Sequence, residues 1–150
     1  YKKIVIFCYH KSAIHELRVR LARFNPTFID GSVKHPVTRK QRETQFQEDP
    51  NCHIMIGQID TMGVAITLTA ASEVAVIGPK YTPTDNTQAV LRVHRIGQKR
   101  PVRVRFFYID NGSDKKLQKT LMRRTQDQAE MFDPFILGSM GRIQNPLEGL

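Results

Sequence analysis

Apolar runs and amphipathic stretches alternate along the whole chain, separated by short polar breaks. Lys3 to Cys8 is nearly all apolar, the pattern of a strand covered on both faces. Ile14, Leu17, Leu21 and Phe24 then recur at helical spacing, with Ser12 as the expected cap and Asn25-Pro26 as the stop. Thr27 to Asp30 reads as a short strand closed by Gly31. Thr38 to Phe46 reads as a helix, and Thr38 with Gln41 fits a capping box. Cys52 to Ile56 and Glu73 to Ile77 are two more buried strands. Pro83, Thr84 and Asp85 open a helix expected to carry Gln88 through Arg95. Pro101 to Ile109 is again a strand, and Ser113 is the expected cap of a long basic helix from about Asp114 to Met131.

Such alternation predicts an α/β fold, a parallel sheet sandwiched by helices. In the last strand Val102, Val104 and Phe106 alternate with Arg103 and Arg105, so one face is wetter, as near a sheet edge. Residues 3–132 form the expected domain. The tail, 133–150, either packs on it or links to a missing segment.

Composition adds three points. No run approaches eighteen apolar residues, which gives no membrane span, and Tyr1-Lys2-Lys3 has no signal-peptide layout. The chain lacks an initiator Met and opens on core-like residues, so a piece of a longer protein is expected. The net charge of +9 favours phosphate polymers as partners, with a solvated basic surface as the alternative. Cys8 and Cys52 read as reduced, buried thiols of an intracellular protein. Cys8 and His10 beside Cys52 and His53 would suggest a metal site only if their strands were neighbours.

The most informative segment is Gln88 to Gln98, expected beyond the carboxyl ends of the strands, where such sheets bind ligands. On a helix Gln88, Arg92 and Arg95 would share one face. Arginine's fixed, forked donors suit the charge of a transferring phosphoryl group, although a solvated basic face has the same spacing.

The order Gln-Ala-x-x-Arg-x-His-Arg-Ile-Gly-Gln over 88–98 resembles motif VI of Swi/Snf-type ATPases, within helicase superfamily two. Other segments agree in order. Ile4 to Lys11 is similar to motif IV, and Asp30-Gly31-Ser32 with Arg39, Arg42 and Phe46 to the stretch that follows it. Ile59 to Ala71 resembles motif V, and Tyr81-Thr82-Pro83 stands where the family usually has Trp-Asn-Pro. The resemblance implies the C-terminal RecA-like helicase lobe of an ATP-dependent DNA translocase. By position, Arg92 and Arg95 become arginine fingers, with Gln88, Gly63 and Thr67 near the nucleotide. Thr61, Lys11, Ser32 and Arg39 become contacts to double-stranded DNA. For Lys11, Ser32 and Arg39 a surface or capping role is an equal alternative.

Leu91 stands where the family often has an acidic residue, and motif V carries Met62, Ala65 and Thr67 in place of a Gly- and Asn-rich run. These departures motivate a second reading, a motor-inactive nucleic-acid-binding or interaction module. The 150 residues contain no Gly-x-x-x-x-Gly-Lys-Ser/Thr cradle and no Asp-Glu pair. ATP and the ligands of its Mg2+ are therefore expected on a missing N-terminal RecA-like lobe, and the lobe alone is expected not to hydrolyse ATP. The resemblance places the protein in the cytoplasm of a prokaryote or virus-infected host, or in a eukaryotic nucleus.

Overall fold

The computed structural model describes residues 2–61, 66–108, 116–121 and 123–124. Five parallel strands form one sheet: β1 (Ile4–Cys8), β2 (Thr27–Ile29), β3 (Ile54–Gln58), β4 (Glu73–Ile77) and β5 (Arg103–Phe107). Their spatial order is β2-β3-β1-β4-β5, so the first strand of the chain lies at the centre. Helix α1 (Lys11–Arg20) joins β1 to β2, α2 (Pro36–Glu48) joins β2 to β3 and α3 (Pro83–Val90) joins β4 to β5.

Strand alternation divides the core between two faces. Val5, Phe7, Met55, Val74 and Val76 point to one face, where Phe46 of α2, Ala89 of α3, Leu68 and Val93 cover them. Ile6, Cys8, Ile54, Ile56 and Ala75 point to the other, beneath Ile14, Leu17 and Leu21. The expected α/β sandwich is present, and β4 has the bounds expected from its apolar run.

Two helix starts differ from expectation. His10 occupies the N-cap of α1 and Ser12 lies inside the helix, so the serine does not cap it. α2 begins at Pro36, which places Thr38 within the first turn and leaves no capping box. Proline fits a first helical turn because its fixed φ is already helical and its missing N–H would have had no partner there. The helix carrying Ile14 also ends sooner, at Arg20. A 3-10 turn over Ala22–Phe24 follows, and Asn25 closes it with a left-handed φ of 49°.

β5 is the edge strand its arginines suggested. Arg103 and Arg105 are exposed and reach Glu73 at 3.7 and 3.2 Å. Charge along an open edge discourages pairing with another chain.

The cysteines are free and buried, and burial raises both thiol pKa values, that of Cys8 to about 11. β1 and β3 are neighbours, but their register sets Cys8 opposite Gln58 while Cys52 precedes Ile54, so the two lie at opposite ends. Among the described residues no three His, Cys, Asp or Glu side chains gather as a metal site. No helix of the described residues is long and apolar enough to cross a membrane. Ser113, most of the long basic helix, Gly63 and the tail lie outside the described residues. Within 116–124 the described residues are helical, and Leu117 and Leu121 are buried.

Candidate functional site

Parallel strands deliver their following loops to one edge of the sheet. Lys11 after β1, Ser32 after β2 and Thr61 after β3 therefore share the carboxyl edge. Lys11 and Ser32 are exposed. Gln58, at the end of β3, ties these loops together. Its Oε1 accepts from the Gly31 N–H at 3.0 Å and its Nε2 donates to the Tyr9 carbonyl. The Lys11 side chain lies so close to Gly31 that an added Cβ would meet Cε and Nζ at 3.3 Å.

Asp30 accepts from both the N–H and the hydroxyl of Ser32, at 2.9 and 2.5 Å. Partial burial pulls its pKa upward. The Ser32 hydrogen bonds and the Lys11 charge outweigh that, so the carboxyl titrates below its ordinary 3.8. A depressed carboxyl adds stability that is complete above the unfolded pKa and is lost as pH falls through the folded one. Asp30→Asn is therefore expected to weaken the pH dependence of unfolding below about pH 4, read by thermal melts across the acid range.

Arg39 is half-buried and donates Nη2 to the Thr61 carbonyl at 2.8 Å. Thr61 turns its own hydroxyl to the Gln58 carbonyl at 3.1 Å.

Residues 66–70 lead into the amino edge of β4 alongside α2. Three α2 residues at helical spacing meet Thr61 and this stretch. Arg39 holds Thr61, Glu43 accepts from the Thr67 N–H at 3.2 Å, and Gln47 bonds the Thr69 hydroxyl and the Ala70 N–H at 3.1 and 2.8 Å. Sequence reasoning missed Glu43 and Gln47. Their four-residue spacing was visible, but a polar helix stripe normally faces water.

Arg95 and the backbone of Arg92 meet Thr67 and Leu68 of the same stretch. The expected helix through Arg95 stops at Val90, so the two arginines do not share a helical face with Gln88. Tertiary bonds end the helix. The Leu68 N–H takes the Arg92 carbonyl at 2.9 Å, and the Gln98 amide takes the carbonyls of Val93, Thr69 and Ala71. Val93 is drawn fully into the core. The turn therefore sits toward the amino edge of β4, not beyond the carboxyl ends of the strands. There Arg95 is exposed and donates Nη1 to the Thr67 hydroxyl at 3.2 Å. Arg92 is half-buried. Gln98 and Arg100, which bonds the Ala70 carbonyl at 2.8 Å, complete the frame.

Gln88 stays apart. It lines a small cleft with Ile59, Asp60 and Asp85 near the carboxyl edge. Beside it Lys80 bonds Asp60 and Asp85 at 2.5 and 2.7 Å, and those hydrogen bonds raise its pKa above the ordinary lysine value. The structure thus brings Thr67 and Arg95 together, groups Lys11, Ser32 and Thr61 at one edge, and separates Gln88 from both.

The helicase conserved C-terminal domain model matches residues 1–97. The chain belongs to that family. Relatives of this helicase lobe include the DNA repair protein RAD5A of Arabidopsis thaliana, 31% identical over 81% of this chain. The ATP-dependent helicase rhp16 of Schizosaccharomyces pombe is 35% identical over 73% of it. The lobe spans only 12% of the length of each. In fold it is similar to the C-terminal part of the Fun30 ATPase domain, with a TM-score of 0.75 and 24% identity over 80% of this chain and 39% of that one. These relatives fit a Swi/Snf-type, superfamily-two C-terminal lobe with a RecA-like fold.

Proposed function

We propose that this helicase lobe works within a longer, ATP-driven motor on double-stranded DNA. ATP is held by an N-terminal RecA-like lobe, and Arg92 and Arg95 reach its phosphates across the cleft between lobes. The observation that carries the reading is the exposed Arg95 guanidinium bonded at 3.2 Å to Thr67. A neutral hydroxyl fixes the fork without neutralising it, which leaves a preorganised cation for the charge that develops during phosphoryl transfer. Arg92, half-buried and anchored through its carbonyl, is the second finger. Mg2+ would balance the charge of the bound triphosphate, and its ligands are assigned to the N-terminal lobe. Gln88, which lines its own cleft near the carboxyl edge, is left out of the arginine site, and Gly63 keeps the role its motif implies.

The DNA backbone is assigned to the carboxyl edge, where Lys11 and Ser32 are exposed and Arg39 holds the Thr61 loop in place. Relatives from plants and yeast, DNA repair proteins among them, support a nuclear location.

ATP hydrolysis by the full-length protein, with and without duplex DNA, tests the reading. Strong stimulation by DNA is expected. Its absence would leave a motor-inactive nucleic-acid-binding or interaction module on the same fold. The isolated 150-residue lobe is expected to bind duplex DNA weakly, to release it as salt rises, and to show no ATP turnover. Lys11→Ala should flatten its salt dependence by about one phosphate contact, a slope change of roughly 0.9.

A further inference from the structure

Glu43 is the one charged residue that is buried among the described residues, with 6% of its surface exposed. Its Oε1 accepts from the Thr67 N–H at 3.2 Å and meets Lys40 Nζ at the same distance. A buried carboxylate is costly unless it has work as an acceptor. Here that acceptor sits midway along the α2 stripe, between Arg39 on Thr61 and Gln47 on Thr69 and Ala70. The residue it grips by the backbone, Thr67, is the one whose hydroxyl receives Arg95.

From this chain of contacts we infer that Glu43 is a positioning residue for Arg95. By fixing the Thr67 backbone against α2, it sets where the Thr67 hydroxyl points and so where the Arg95 fork is held. α2 then links the two ends of the site, with Arg39 steadying the DNA-side loop at Thr61 and Glu43 steadying the arginine at Thr67. The inference rests on the proposed role of Arg95, and its test separates the two.

Two substitutions in the full-length protein make that test. Glu43→Gln keeps an oxygen that can accept from the Thr67 N–H, and Glu43→Leu fills similar space without one. Leucine is expected to lower the DNA-stimulated kcat about tenfold with little change in KM for ATP, whereas glutamine stays within about threefold of wild type. Because Glu43 acts through Arg95, the Glu43→Leu/Arg95→Ala double variant should be no slower than Arg95→Ala alone. Losses that multiply, or a leucine variant as fast as wild type, would overturn the inference.

Amide hydrogen exchange over residues 66–70 gives a readout independent of turnover. Exchange should speed about tenfold or more in the leucine variant and hardly change in the glutamine one. Unchanged protection in the leucine variant would also overturn the inference. If Arg95→Ala leaves turnover intact, the arginine-finger reading fails instead, and the exchange result still decides whether Glu43 holds Thr67.

Discussion

Replacing Arg95 by alanine in the full-length protein is expected to cut DNA-stimulated ATP turnover by about 10^3–10^5-fold, the range for loss of an arginine finger. The fold should survive, because Arg95 is exposed and its one hydrogen bond to a described side chain is to Thr67. Arg95→Lys should remain severely impaired. A lysine keeps the charge but cannot bond Thr67 and a phosphate oxygen at once with a rigid fork. ATP binding, followed by fluorescent-nucleotide titration, should change far less than kcat, because the arginine acts mainly on charge that develops in the transition state. Thermal melts of each variant separate a catalytic loss from unfolding. Turnover close to that of wild type in Arg95→Ala would remove the arginine-finger role.

The largest expected effect on stability is at Phe46. Its ring is fully buried among Val5, Phe7, Ile29 and Met55, and it anchors α2 to the sheet. Phe46→Ala should cost about 3–5 kcal/mol, the sum of lost transfer energy and the cavity left behind. Urea denaturation monitored by circular dichroism measures it through a lower midpoint. Lys3 crosses from the start of β1 to the carbonyls of Phe46 and Asp49, placing a cation at the end of α2. That contact favours the helix C-terminus and keeps part of α2 in register even in the alanine variant. α2 also carries Arg39, Glu43 and Gln47, so damage to its seat should reach the site as well as the core.

Much of the fold was legible in the sequence because β1, β3 and β4 are buried on both faces. A run such as Glu73 to Ile77 can hardly be anything else once turn residues bound it. What escaped was decided by partners distant in sequence. Nothing local to Leu91 through Arg95 says that Leu68 will take the Arg92 carbonyl, or that Gln98 will bond three carbonyls and end the helix. Pro36 won over the Thr38 box because two helix starts competed within three residues, and only proline's fixed φ settled which came first.

The site divides in the same way. Arg92 and Arg95 could be picked out by resemblance, but their place at the amino edge of β4 depends on residues 66–70 lying beside α2. Glu43 was unreadable for a related reason. A glutamate just after Lys40 and Arg42 on a polar helix reads as a solvated side chain until residues 66–70 are laid over it.

The central place of β1 has a consequence for how the chain comes off a ribosome. Within this lobe β1 is made before both of its neighbours and cannot complete both edges until β3 and β4 have emerged, so Ile4 to Cys8 waits for residues up to Ile77. During that interval its apolar face and unpaired backbone are open to other nascent chains. A stop codon before Glu73 would leave β1 without its β4 neighbour, and this lobe should clump or be degraded rather than persist as a smaller folded unit.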